Sequence, residues 1–272
     1  MAQCRLLLDD VIQQATLTAA GTAAGMGADR LKTDPKGEAC RILSGSGQIV
    51  ATWAQPVTVG AIVIPACNLG PSSTIRVRAY QDAAGSTLLA DTGTQLAAPG
   101  AILGLWSFSQ PLNVNAFSEG AALVCAYLPQ HEAVRRIVID LADPDATFLD
   151  LSRLVVGPYL QAEYGAAYGA QTAITDMSSN ARAASGDIKT DWAPRNKKVT
   201  FSLDWVAEAD RARVLSLFKG GIGKWLFADL LCGTADPVKR QDYQIYGKAM
   251  QPGGMSHHTY RFHSASFDIE GY

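Results

Sequence analysis

The chain is poor in the residues on which catalysis and metal binding most often rest. It holds four histidines and five cysteines in 272 residues. No two of the cysteines (Cys4, Cys40, Cys67, Cys125, Cys232) stand at the Cys-x-x-Cys spacing that places two sulfurs on one metal or in one redox pair. They read as small buried hydrophobes. No apolar run approaches the roughly 20 residues that a membrane-spanning helix needs. Net charge is −2, which excludes the broad basic field of a general nucleic-acid binder. The opening stretch MAQCRLLLDD has three leucines and then two acids. A secretory h-region is longer and does not end in Asp9-Asp10. The expectation is a chain made in the cytoplasm without a signal peptide, with no nucleic-acid partner and no membrane insertion.

Signatures of nucleophiles and nucleotides are missing too. There is no Gly-x-Ser-x-Gly elbow, since SGSG at 44–47 has the wrong register. GGIGKW at 220–225 lacks the first glycine of a phosphate loop and carries Trp225 where the magnesium-binding hydroxyl belongs. GMGADR at 25–30 puts Arg30 at the last glycine of a dinucleotide fingerprint. His257, His258 and His263 cluster near the end, but read on one strand, His257 and His263 lie about 20 Å apart and cannot share a metal. His131 reads as a loop residue. Glycoside hydrolysis needs two carboxylates at a set separation, and no such pair announces itself among 25 acids. No catalytic residue, cofactor or metal is expected, and the chain is expected not to be an enzyme.

What is present is β-structure. Apolar residues make up 48% of the chain, enough for a packed core. IVATW (49–53), GAIVIP (60–65), STIRVRAY (73–80), ALVCAYL (122–128), RRIVIDL (135–141) and SRLVVG (152–157) are rich in Val, Ile and aromatics and are bounded by turn residues. In IRVRAY the parity is clean: Ile75, Val77 and Ala79 share one face, Arg76, Arg78 and Tyr80 the other. AIVIP lacks alternation and should be a strand covered on both sides. Trp53, on a strand, reads as core. The form predicted for residues 1–160 is an antiparallel β-sandwich of jelly-roll type. Residues 161–192 are small, polar and Gly/Ala-rich, and read as a linker or docking arm. Residues 193–272 read as a small α+β unit. Its strands surround one helix over 207–221, where Val214, Leu217 and Phe218 form the apolar stripe. HTYRFHSASFDIEGY reads as a single closing strand.

Two ordered sets of segments carry a resemblance. TWAQPVTVGAIVIPACNLGPSSTIRVRAY and VRRIVIDLADPDATFLDLSRLVVGPYL resemble the galactose-binding-like (discoidin-type) β-sandwich as it occurs in bacteriophage tail proteins. Asn68-Leu69 and Ser152-Arg153-Leu154 hold the turn and strand-entry places of that pattern, over roughly residues 10–160. APRNKKVTFSLDWVAEADRARVLSLFKGG, IYGKAM and YRFHSASFDIEGY resemble the strand–helix–strand unit of distal-tail and tail-tip proteins. The resemblance implies a structural component of a phage tail tip or baseplate. It also implies other tail proteins as partners, a homo-oligomer (trimer or hexamer) around the tail axis, and attachment to a cell-surface glycan. A free carbohydrate-binding module is the alternative, and a glycan-degrading enzyme a weaker one.

Within that reading, sugar sites combine an aromatic face with polar groups that fix hydroxyls. Trp106 in GLWSFSQPLNVNAF, with Asn113 and Asn115, is the glycan-binding candidate. Asp143, Asp145 and Asp150 offer oxygens to calcium but lack the Asp-x-Asp-x-Asp-Gly form, so DPDATFLD reads as a solvated acidic turn. RRIVIDLADPDATFLDLSRLVVG as a whole reads as a hairpin, with Arg153 paired to an acid at the sheet end.

Overall fold

In chain order the strands are β1 (Cys4–Leu7), β2 (Thr16–Ala19), β3 (Cys40–Ile42), β4 (Ser46–Cys67), β5 (Thr74–Tyr80), β6 (Leu88–Asp91), β7 (Gln95–Leu96), β8 (Ala122–Ala142), β9 (Leu149–Leu151), β10 (Val155–Gly157), β11 (Tyr159–Ala162), β12 (Gln171–Asp176), β13 (Ser179–Arg182), β14 (Ile188–Asp191), β15 (Arg195–Ala207), β16 (Trp225–Asp229), β17 (Gln244–Ala249), β18 (Met255–Thr259) and β19 (Phe262–Gly271). The helices are α1 (Glu208–Phe218) and α2 (Pro237–Asp242). This computed structural model describes residues 4–7, 9–35, 37–98, 122–193, 195–219, 223–234, 236–251 and 253–271. The fold is mainly β and antiparallel.

Two compact units divide the chain. One is built from residues 5–161 and 233–242, the other from residues 1–4, 162–232 and 243–272. The first unit is organised by β4 and β8, which pair antiparallel from Ser46↔Ala142 to Cys67↔Ala122. The sequence reading split each into two strands. They are continuous because the ladder absorbs its irregularities: the register shifts between Thr52 and Val57, beside Pro56, and again between Val59 and Ala61, opposite Pro129, and both prolines are exposed. Proline lacks the N–H that a ladder needs, and a bulge is where a strand tolerates it. The first half of β4 and the second half of β8, which pair with each other, are flanked by β2 and β5, with β6 and β7 beyond. β10 pairs the second half of β4, which meets β9 at Cys67; β9 pairs β3. Strands that bend from one layer into another at bulges form the corners of a β-sandwich.

Alternate side chains of both halves enter one core: Ile49, Ala51 and Trp53 from one end of β4, Ile62 and Ile64 from the other, with Ile75, Val77, Ile137, Ile139 and Leu128. Ile75, Val77 and Ala79 are buried while Arg76, Arg78 and Tyr80 face outward, as their parity predicts. Residues 59–65 of β4 are buried on both faces. Trp53, 1% exposed, donates its indole N–H to the Val11 carbonyl at 2.9 Å. Cys40 and Cys67 are buried thiols, pushed up by burial to about 11 and about 12 respectively.

The stretch 135–157 is not a hairpin. β8 pairs β4 and β5, whereas β9 pairs β3 and β10 pairs β4. The acidic turn changes layers instead of reversing along a neighbour, which a strand–turn–strand pattern cannot distinguish from a hairpin. Arg135 and Arg136 lie inside β8 and do not begin it.

In the second unit the sheet order is β16–β17–β19–β15–β12, with β18 beside β19. Phe201 and Phe267 are opposite partners on β15 and β19 and stack at 4.9 Å. α1 begins one residue after the sequence expectation starts and stops at Phe218; Val214 and Leu217 are its buried stripe, and Phe218 lies 5.0 Å from Phe267. The segment 161–192, read from composition as a linker or arm, carries β12, which pairs β15, and the two-stranded ribbon of β13 and β14. Its short, polar strands expose nearly every side chain, so no buried apolar periodicity marks them in the sequence.

Candidate functional site

The charged residues of the sandwich are tied to one another. Arg76 forms a two-pronged contact with Asp91, at 2.5 Å for the shorter ion pair, and that guanidinium holds the Asp91 carboxyl down at about 2. Arg78 reaches Asp140 at 2.6 Å, and Gln48 donates to the same carboxylate at 2.7 Å. Arg136 donates to the Ala84 carbonyl at 2.9 Å. Arg41 grips Asp150 through two nitrogens at 2.7 and 2.6 Å. Arg153, 5% exposed, pairs with Asp10 at 2.9 Å and with Asp34. That is the acid partner at the sheet end which the sequence suggests.

The acidic turn is exposed at Pro144, Asp145, Thr147 and Phe148, as its composition implies, but its first aspartate is not. Asp143 is 3% exposed. Its Oδ2 accepts the Gly70 N–H at 2.6 Å and its Oδ1 the Asp145 N–H at 3.0 Å. Asp145 accepts from the Ser72 hydroxyl, and Asp150 is held by Arg41. The backbone N–H of Asp150 also donates to Asn68 Oδ1 at 2.8 Å, so the asparagine in the resemblance pins this turn. The three aspartates point at separate protein donors. Among the described residues no cluster of His, Cys, Asp or Glu gathers as a metal site. Trp106, Asn113 and Asn115, the glycan candidates, lie outside the described residues.

An aromatic cluster elsewhere in the sandwich has its faces covered. The Arg5 guanidinium lies 4.2 Å from the Tyr127 ring centre and 4.7 Å from that of Tyr159, and His131 lies 4.4 Å from Tyr159. Rings occupied by a cation in this way do not offer a free platform for a ligand.

The second unit holds a more open arrangement. Three elements converge on a cavity of about 780 Å³: the stretch after β11 with Glu163, the start of α1 with Glu208 and Arg211, and the tip of the β18–β19 pair with His257, Arg261 and Phe262. A two-residue turn, Tyr260-Arg261, reverses the chain, because Thr259 pairs with Phe262. His257 and His263 therefore stand opposite each other with ring centres 4.8 Å apart and planes 20° from parallel. The sequence reading put them about 20 Å apart on one strand. It failed because the turn contains none of Gly, Pro, Asn, Asp or Ser, the residues that ordinarily signal one.

His263 Nε2 lies 2.5 Å from Glu208, and Arg211 donates to the same carboxylate at 2.8 Å. The contact with His263, then that with Arg211, holds the Glu208 carboxyl below its ordinary range. Ser264 donates to Asp204 at 3.1 Å, fixing the hairpin to β15. Beside the cavity, Trp205 and Phe262 meet edge-on at 5.5 Å, and Tyr164 meets Phe262 edge-on at 5.8 Å. Trp205 is 45% exposed and Tyr164 40%. Chemically, the cavity sets carboxylate, guanidinium and imidazole groups beside Tyr260 and Phe262, with the half-exposed Trp205 and Tyr164 rings flanking Phe262. The histidine–carboxylate pair orients an imidazole, but the described lining holds no serine, threonine or cysteine for it to activate.

No protein-family model matches the chain, and no curated protein matches it. Among solved structures it is similar to a Ruminococcus gnavus GH29 fucosidase in complex with fucose, at 13% identity and a TM-score of 0.38, over 54% of this chain and 26% of that one. The chain thus spans about a quarter of the fucosidase. It is also similar to the CBM32 of AlyQ in complex with 4,5-unsaturated mannuronic acid, at 16% identity and a TM-score of 0.36, over 55% of this chain and 96% of the module. A fucolectin from striped bass (Morone saxatilis) serum matches at 7% identity and a TM-score of 0.36, over 96% and 92%. Likeness this distant assigns neither a ligand nor an activity to the chain.

Proposed function

We propose that the chain is a non-enzymatic recognition protein with a sandwich of carbohydrate-binding type, and that its working place is a bacteriophage tail tip or baseplate. The observation that carries the first part is the fate of the sandwich's charged side chains. Arg76, Arg78, Arg41 and Arg153 are each committed to an aspartate, so the acids that might serve hydrolysis act as structural partners. A unit built this way leaves recognition to residues outside these pairs, for which Trp106, Asn113 and Asn115 are the candidates from the sequence. The second part rests on the resemblance of the ordered segments to those of phage tail proteins. It entails other tail proteins as partners, a homo-oligomer on the tail axis, and assembly into the virion after synthesis in the host cytoplasm.

Antibody labelling of particles from the source, viewed in the electron microscope, tests the setting. Label at the tail tip supports it; particles that never label, under conditions where the antibody detects the purified chain, overturn it. Glycan binding by the purified full chain tests the activity, and release of shortened glycan products would overturn the non-enzymatic reading.

One observation favours a second reading, a free carbohydrate-binding module. The sandwich core draws on residues from Ile12 to Val156 and is complete within its own unit. A core of that kind needs no ring of neighbours to fold. Under this reading the chain is a monomer in solution that binds sugar with no virion attached.

A further inference from the structure

We infer that the cavity between the start of α1 and the β18–β19 turn is a second recognition site, taking a neutral pyranose sugar. Its aromatic side supplies what a sugar's C–H face requires: Tyr260 and Phe262 line the cavity, Tyr260 is largely exposed, and Phe262 is braced edge-on by Trp205 and Tyr164, so its position is set before a ligand arrives. Bracing of this sort lowers the ordering cost of binding. The polar side supplies what hydroxyls require. Each sugar hydroxyl donates and accepts, and Glu163 offers acceptors while Arg261 and His257 offer donors at the same cavity.

Charge selects the ligand class. Two carboxylates, Glu163 and Glu208, stand against two guanidiniums, Arg211 and Arg261. Glu208 is already matched by Arg211 and His263. The cavity therefore has no surplus cation to attract a sulfated, sialylated or uronic sugar. The inference is separate from the reading of the sandwich, because every residue named belongs to the other unit.

The test titrates the full chain calorimetrically, and by saturation-transfer NMR, with neutral gluco-, galacto- and manno-oligosaccharides and with their uronic and sialylated counterparts. Saturable binding of a neutral oligosaccharide is expected. Tyr260→Ala should weaken it by about tenfold, the scale of one lost ring contact, Trp205→Ala should weaken it less by loosening Phe262, and Trp192→Ala, at an exposed ring outside the cavity, should leave it unchanged. Thermal unfolding of each variant checks that folding is intact. His257→Ala, at an exposed position, serves as a further variant and should also weaken binding. No saturable binding of any neutral sugar overturns the inference, as does preference for the acidic sugars. Binding lost only in Trp106→Ala overturns it as well, while supporting recognition by the sandwich.

Discussion

His257 and His263 face each other across the β18–β19 pair, with their rings nearly parallel and His263 held to Glu208 at the start of α1. The link joins a strand turn to a helix, two elements whose side chains define the open cavity. Its strength depends on the charge of Glu208.

Glu208 has its folded pKa lowered by His263 and Arg211. The contribution of the contact is thus present above the ordinary glutamate value and lost as pH falls through the lowered one. NMR titration of the Glu208 carboxyl should show a midpoint below the ordinary glutamate range. In His263→Ala that midpoint should rise part of the way back, because Arg211 remains. A midpoint unmoved by the substitution would sever the proposed link.

Arg153 is nearly buried between Asp10 and Asp34. Removing one partner of such a pair leaves a buried charge uncompensated, so Arg153→Ala should destabilise the sandwich by ~3–5 kcal/mol in chemical denaturation. Asp10 supplies a pH signature. Burial raises its pKa against the lowering effects of the Ile12 and Val156 N–H groups and of Arg153. An acid with a raised folded pKa contributes stability below its ordinary value, and that contribution is lost as pH rises through the raised one. Relative to Asp10→Asn, the wild type should therefore lose ground as pH climbs from about 4 upward.

Gly157 ends β10, and a Cβ there would lie 1.8 Å from the Asp9 carbonyl oxygen. Backbone cannot yield as a flexible side chain can. Gly157→Ala should cost about 1–3 kcal/mol, read from the denaturant midpoint. An unchanged midpoint would mean that the chain at Asp9 moves aside freely.

Asp143 accepts two backbone N–H groups in near-complete burial. Asp143→Ala strands both donors and should destabilise by about 1–3 kcal/mol. A chelator should leave the wild-type unfolding temperature where it was. A fall on chelation would show that calcium, and not only Gly70 and Asp145, holds this turn.

The parts of the fold with a strong period were legible. The alternation in IRVRAY, the uninterrupted apolar run of AIVIP and the stripe of α1 each report directly which side is buried. Continuity was not legible. Pro56 and Pro129 punctuate the sequence as strand ends do, and only the pairing of β4 with β8 shows both lying within one bent ribbon. The cavity was hidden for a related reason. Tyr260-Arg261 makes a turn without turn residues, so His257 and His263 seem far apart along the chain yet meet across it. Nor does composition distinguish an exposed strand from a linker, which is why β12, β13 and β14 went unread.

The division of the chain has a consequence for the order in which it is built. Residues 233–242, with α2, belong to the sandwich, although they lie after most of the other unit in sequence. There Gln241 donates to the Leu123 carbonyl and Arg240 approaches the Tyr127 ring. During synthesis the sandwich can close its core early, yet it acquires this last piece only after α1 and β16 have left the ribosome. The other unit waits longer still, for β19 to fill the place between β15 and β17. A fragment ending at residue 161 is therefore an unfinished sandwich, and the two units reach completion interleaved rather than one after the other.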